Sequence, residues 1–292
     1  MNCTDVLSDY PRGPGRQGHL GFVNEMTDIN RSLSIIIPCL NEEETVVEVI
    51  SQALFGLDKF GIQGDVIVVN DGSTDETQYR VREILGRDHR VSVIDKEATQ
   101  GVGAAFWDSC MRSTSDFVVM LPGDNENSID QVLRFFDLVD RVDVVVPFVQ
   151  NREVRHRVRR VISGTYRWII NLSFGTQLNY TNGTVIYNRM ALMSVELNSH
   201  GFFFQTELLI KLLRRGFLYA EVPQLLGQRA RGRSTALSFR SLFQLIASFT
   251  KFFLRVHVLR IEGLRDPRYQ FPPTTVTGRA LLSDDNPDGV RN

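Results

Sequence analysis

Two acidic residues two positions apart, Asp124 and Glu126, follow an apolar run in FVVMLPGDNE. Alternate side chains of an extended segment point the same way, so the pair could share one hard divalent cation such as Mg2+ or Mn2+. The same stretch, GDNENSID, also suits an acidic turn with Asp130 capping the next helix. A second polar cluster, VNDGSTDET, closes another apolar run. Gly72 there suits a tight turn and Asp71 could meet a nucleoside, although DGS is also an ordinary strand-to-helix turn. The third cluster is basic: in NREVRHRVRR, Arg152, Arg155, Arg159 and Arg160 recur at helical spacing with only Glu153 to balance them. Guanidinium forks grip phosphate oxygens in pairs, so this face suits a phosphate-bearing ligand, the alternative being a solvated basic helix.

These clusters need elements to hold them. LSIII from Leu33 to Pro38, then Asp65–Val69, Val91–Asp95, Asp116–Leu121 and Asp143–Val149 read as buried strands. Helices are expected over Glu42–Phe55 with Gly56 as its stop, and over Thr74–Leu85, Val102–Arg112 and Ile129–Val139. Strand–helix alternation of this kind makes right-handed βαβ units, an α/β fold with a mostly parallel sheet. Ligands bind such sheets at the carboxyl ends of the strands, where Pro38–Glu42, Asn70–Asp75 and Pro122–Glu126 all fall. Farther on, helices are expected near Arg155–Leu172 and Gln205–Arg215, with short strands at Thr184–Tyr187 and Leu218–Val222. Between Leu237 and Arg260 apolar residues return at helical spacing among Arg and Lys, which suits either core or a membrane interface.

The composition, 42% hydrophobic and 23% charged over 292 residues, is that of a globular protein. Three scattered cysteines and five scattered histidines exclude a disulfide framework and a histidine-built metal cage. A formal net charge of −1 hides a division. Residues 1–151 carry 12 Lys/Arg against 25 Asp/Glu, whereas residues 152–265 carry 18 against 5. The basic half implies an anionic partner, and the acidic half argues against nucleic acid. No secretory signal or run of about 20 apolar residues is present, so the expected place is the cytosol, with peripheral contact at the cytoplasmic face of a membrane left open.

In order and spacing, IIIPCLNEEE, VIVVNDGSTDET and VVMLPGDNE resemble the inverting glycosyltransferases of family 2, over about residues 33–235. The later segments NREVRHRVRR, NYTNGTVIYNR, GFFFQTELLIK and QRARGRST are similar to the dolichyl-phosphate mannosyltransferase-like branch, which acts on polyprenyl phosphates. The resemblance implies a GT-A fold: a Rossmann-like, mostly parallel sheet flanked by helices, with a basic acceptor-side extension and a C-terminal amphipathic helix. With the resemblance for the domain, and composition and periodicity for the rest, the chain divides into a flexible arm (1–31), a glycosyltransferase domain (32–235, with a nucleotide-sugar half at 32–150 and an acceptor half at 151–235), an amphipathic segment (236–265) and a disordered tail (266–292).

Carried over by position, Pro38 and Glu42 line the nucleoside pocket with Glu42 on the ribose, and Asp71 faces the base. Asp124 and Glu126 hold Mg2+ or Mn2+ against the diphosphate of a UDP- or GDP-sugar. Arg229 meets the donor, whereas Arg152, Arg155, Arg159, Arg160, Arg233 and Ser234 meet the acceptor phosphate. Glu207 becomes the general base if the acceptor is an alcohol, the alternative being a structural carboxylate that holds the second subdomain; a phosphate nucleophile needs no base. The sequence departs from the family at Pro122, where the first Asp of the metal motif would stand, and at Asn179, Asn182 and Thr235, which bear on the acceptor side. Two other readings stay open: the same chemistry onto a hydroxyl acceptor, and a non-catalytic nucleotide- or lipid-binding relative. A dinucleotide oxidoreductase is disfavoured, because GVGAAF at Gly101–Phe106 lacks the third glycine and follows the wrong strand.

Overall fold

A computed structural model describes residues 31–151, 153, 157–225, 239–259 and 270–284. Seven strands run β1 (Leu33–Cys39), β2 (Gly64–Asn70), β3 (Val91–Asp95), β4 (Phe117–Met120), β5 (Val144–Val149), β6 (Ile186–Asn188) and β7 (Tyr219–Gln224). They form one sheet in the order β3-β2-β1-β4-β6-β5-β7. All neighbours pair in parallel except β6, which is antiparallel to both β4 and β5. The carboxyl ends of β1, β2 and β4 therefore share one edge, as the apolar runs predict. Because β6 runs the other way, the segment leading into it arrives at that same edge.

β-Branched runs such as Ile35–Ile37 and Val66–Val69 make the central strands, buried on both faces. One face carries Ile36, Ile67, Val69 and Val118 against helices α3 (Val102–Arg112), α5 (Arg157–Phe174), α7 (Phe204–Arg215) and α8 (Phe239–His257). Alternate residues point to the other face, where α1 (Val46–Phe60) crosses β1 and β2 beside α2 (Thr77–Leu85) and α4 (Asp130–Leu133). Short α6 (Arg189–Met193) follows β6, with Asn188 accepting from the Ala191 N–H as its cap.

Three expectations are corrected. Gly56 does not stop α1; the helix continues to Phe60 and ends at Gly61, whose φ of 62° is the left-handed cap. Gly56 instead leaves room for α4, since a Cβ there would lie 3.0 Å from Leu133 Cδ1. The expected helix over Ile129–Val139 is α4 followed by a separate 3-10 turn at Phe136–Asp140. Residues 270–284, expected in a disordered tail, are docked. Helix α9 (Val276–Asp284) begins on the buried carboxylate of Asp143, which accepts the Val276 N–H at 2.6 Å and the Thr277 N–H at 3.1 Å. Phe271 packs edge-on against Phe217 with ring centroids 5.0 Å apart.

The stripe on α8 divides. Phe252 and Val256 are buried and Phe249 and Phe253 pack beside them, whereas Leu242, Phe243 and Ile246 are exposed.

Candidate active site

The loop after β1 turns at Asn41, a non-glycine residue with φ of 58°. Its side-chain oxygen accepts the Thr74 N–H at 2.8 Å, and its own N–H donates to the Ser73 hydroxyl at 3.0 Å. The next two residues make the same kind of stitch: the Glu42 N–H donates to the Thr77 hydroxyl at 2.8 Å, and the Glu43 carboxylate accepts the Glu76 N–H at 2.8 Å. The loops after β1 and β2 are thus one unit.

The loop after β4 is tied into that unit by the Thr45 hydroxyl, which donates to the Gly123 carbonyl at 2.6 Å and lies 3.2 Å from Glu42 Oε2. Gly123 has no space for a side chain: a Cβ would sit 2.8 Å from Cys39 Sγ and 3.6 Å from Glu42 Cγ. Glu42 and the Asp124 loop therefore meet over the end of β1. Asp124 Oδ1 accepts the Glu126 N–H at 3.1 Å, and Asn125 between them has φ of 56°. This turn keeps both carboxylates, each half-buried, on the sheet edge. Glu126 forms an ion pair with Arg159 of α5 at 3.6 Å. The basic helix therefore reaches the acidic loop, and the carboxylate pair is met by a cation of the chain itself.

The local field is negative. Burial pushes the Cys39 thiol well above its ordinary range, and Glu42, Asp75 and Asp124 push it further. Burial also raises the Asp75 carboxyl, but the Thr77 hydroxyl and the N–H groups of Thr77 and Glu43 outweigh it and hold Asp75 below the usual carboxylate range. Such an edge suits a divalent cation. Among the described residues no three His, Cys, Asp or Glu side chains form a complete cage. Two carboxylates fit Mg2+ or Mn2+, which share their coordination with substrate phosphates and water rather than with an all-protein set.

Asp71 is buried, and its two oxygens accept the Gln100 and Gly101 N–H groups at 3.0 and 2.9 Å. It fixes the start of α3 to the end of β2. Sequence spacing could not reveal that role, because its partners lie about thirty residues away. Pro38 sits at the same edge, with its carbonyl accepting the Gly123 N–H at 3.2 Å. Glu207 is fully buried on α7, ion-paired to Lys211 at 2.8 Å, and its Oε1 accepts the Asn198 N–H at 2.9 Å. Lys211 in turn donates to the Glu196 carbonyl at 2.6 Å. The pair pins the 196–198 segment, and neighbouring His200 accepts the Gly103 N–H of α3 at 2.8 Å.

The segment around Asn182–Gly183 is brought against the start of α7 and Tyr166 of α5. Gln205 donates to the Gly183 carbonyl at 2.7 Å, and the Thr206 hydroxyl touches both Asn182 Oδ1 at 3.2 Å and Tyr166 Oη at 2.8 Å. Asn179 pairs with Glu221. Arg160 is exposed on α5. Arg152, Arg155, Arg229, Arg233 and Ser234 lie outside the described residues. The sequence reading missed Asn41, Thr45 and Asp75; an asparagine just before a glutamate-rich helix start was the available signal for the first.

Glycosyl transferase family 2 matches residues 34–202, more than half of the chain and all three loops. The chain belongs to glycosyl transferase family 2. Within it, the chain is 28% identical over 213 residues to the polyprenol monophosphomannose synthase of Mycolicibacterium smegmatis, covering 68% of this chain and 79% of that one. It is also 28% identical over 137 residues to an undecaprenyl-phosphate 4-deoxy-4-formamido-L-arabinose transferase of Edwardsiella ictaluri, covering 45% of this chain and 42% of the relative. Against that transferase and a dodecaprenyl-phosphate galacturonate synthase, the family 2 chain spans about half the relative's length or less, at 42% and 50%. Among solved structures, glucosyl-3-phosphoglycerate synthase from Mycobacterium tuberculosis, in complex with Mn2+, UDP and phosphoglyceric acid, superposes with a TM-score of 0.57. That match has 22% identity and covers 76% of this chain and 78% of the other. The family 2 fold here is GT-A.

Proposed function

We propose that the chain is an inverting, divalent-cation-dependent glycosyltransferase that moves a sugar from a UDP- or GDP-sugar to a polyprenyl phosphate. The observation that carries this reading is the ion pair between Arg159 and Glu126, in which the basic helix of the acceptor half meets the acidic loop of the nucleotide half. Relatives named for polyprenol and undecaprenyl phosphate substrates support the acceptor class.

In this account Pro38, Glu42 and the stitched loop around Asp71 hold the nucleoside. Asp124 and Glu126 hold Mg2+ or Mn2+, which when bound neutralises the diphosphate leaving group. Arg159 and Arg160, with Arg152, Arg155, Arg229, Arg233 and Ser234, hold the phosphates of donor and acceptor. The acceptor phosphate oxygen attacks the anomeric carbon, the bond to the diphosphate breaks, and the configuration inverts. An anionic nucleophile carries no proton to remove, so the buried Glu207 serves as a structural carboxylate. A lipid-linked acceptor also calls for peripheral contact with a membrane.

The test is nucleoside diphosphate release from a panel of UDP- and GDP-sugars with Mn2+ or Mg2+, with and without a short polyprenyl phosphate. Release that needs both the lipid phosphate and Asp124 is expected. Metal-dependent release indifferent to the lipid would retain a transferase and remove the lipid-phosphate acceptor.

A further inference from the structure

The outer face of α5 carries exposed apolar residues in both of its halves. Val158, Val161 and Ile162 in its first half and Trp168 and Leu172 in its second lie on that face, each group at a spacing of three or four with exposed Thr165 between them, and all five are exposed, Trp168 to 64% and Leu172 to 69%. Burial on this 18-residue helix is confined to the opposite side, at Ile170 and Phe174. Helix α8 repeats the pattern, with Phe252 and Val256 inward and Leu242, Phe243, Ile246 and Leu254 exposed. The two helices are packed together: Phe174 meets Phe252 with centroids 5.1 Å apart, and His257 Nε2 lies 2.8 Å from the Ser173 carbonyl. Single exposed apolar residues need no explanation, but two adjoining helices with unpartnered stripes do.

Charge decides between the occupants. Helix α5 carries four Arg and α8 three Lys/Arg, and neither carries an Asp or Glu. A second copy would bring these two basic, acid-free helices, with Arg157, Arg160 and Lys251 exposed on them, against their own like, a like-charge juxtaposition that interfaces avoid. An anionic lipid surface complements it, because basic side chains reach head groups while the apolar stripe enters the acyl boundary. Among the described residues no helix is long and apolar enough to cross a membrane, so the helices would lie along it. The face also adjoins the candidate active site, since Arg159 on the first turn of α5 pairs with Glu126.

We infer that α5 and α8 together form a docking face for an anionic phospholipid bilayer, laid so that the site opens at its edge. The inference deepens the polyprenyl-phosphate reading, and rests on it for the acceptor the bilayer would present. The mechanistic consequence is direct: a lipid phosphate could reach the arginines of α5 without leaving the head-group layer.

The test is flotation of the full chain with vesicles of phosphatidylcholine alone or with phosphatidylglycerol, run beside the transfer assay on a short soluble polyprenyl phosphate. Binding is expected to need phosphatidylglycerol. It should weaken at least about tenfold in Trp168→Ser/Leu172→Ser, exposed positions at which the fold is retained, and it should also fall in Arg167→Glu/Lys251→Glu. Vesicle binding without transfer would keep the docking face and remove the acceptor reading. Transfer without vesicle binding would overturn the docking face alone. So would a dimer in sedimentation that Trp168→Ser dissolves, which would give the face to a second copy.

Discussion

At the scale of single residues, the proposed function makes the site a contest between Arg159 and a divalent cation for Glu126. Arg159 and Glu126 are partly exposed, so their pairing is worth about 0.2–1 kcal/mol. Removing the guanidinium by Arg159→Ala should therefore tighten Mn2+ binding in the absence of nucleotide by up to about fivefold. Electron paramagnetic resonance of free Mn2+ reads this directly, and unchanged or weaker binding would break the link between the basic helix and the acidic loop. Glu207 poses a different question. Exchanging it for Gln leaves Lys211 buried without its counter-charge, which costs about 3–5 kcal/mol of stability when a buried pair loses one partner. A lowered unfolding midpoint, restored in Glu207→Gln/Lys211→Met, is the expected outcome. A general base would instead show a fall in kcat at unchanged stability. The two acidic motifs were legible in the sequence because strand ends and turn residues are local signals. The burial of Glu207 was not, since only tertiary packing sets it beside Asn198 and sets its partner Lys211 over the Phe252 ring.

At the scale of elements, Asp143 is the clasp for the C-terminal segment. It accepts hydrogen bonds from Val276 and Thr277, including the Thr277 hydroxyl, and Thr275 caps the same helix by accepting the Gly278 N–H at 3.0 Å. Asp143→Ala should leave those donors unsatisfied and cost about 1–3 kcal/mol. Burial, the largest influence, pushes the Asp143 carboxyl above its ordinary 3.8 despite the hydrogen bonds. A raised folded-state pKa means that the folded chain holds this proton more tightly. The contribution is therefore full below the unfolded pKa and is lost as pH rises through the folded one. Denaturant titrations across that window should show wild type losing stability relative to Asp143→Asn as pH increases, and a constant difference would contradict the assignment.

This clasp also shows where sequence reading stops. Strand β3 and helix α3 match their expected limits, because each apolar pattern is bounded by polar residues that stand next to it. The order of α9 depends on a carboxylate more than 130 positions earlier, and the Pro-rich text around it carries no trace of that contact. Gly56 was misread for a similar reason. A glycine at the end of an apolar stretch signals a helix stop locally, yet here it makes space for Leu133 and Ile129.

At the scale of the whole molecule, the charge division becomes spatial. The half with 25 acidic residues builds β1 to β5, and the half with 18 basic ones supplies α5. The parallel sheet with one reversed strand brings both halves to one edge, where the proposed function has a metal–diphosphate meet an anionic acceptor. The most direct test of that claim is the fate and anomeric configuration of the sugar, followed by NMR of the lipid extract after incubation with an α-linked nucleotide-sugar, Mn2+ and a short polyprenyl phosphate. The account predicts a β-linked sugar phosphate on the lipid, absent in Asp124→Ala. Free sugar in the aqueous phase with an unmodified lipid, or an α-linked product, would contradict it.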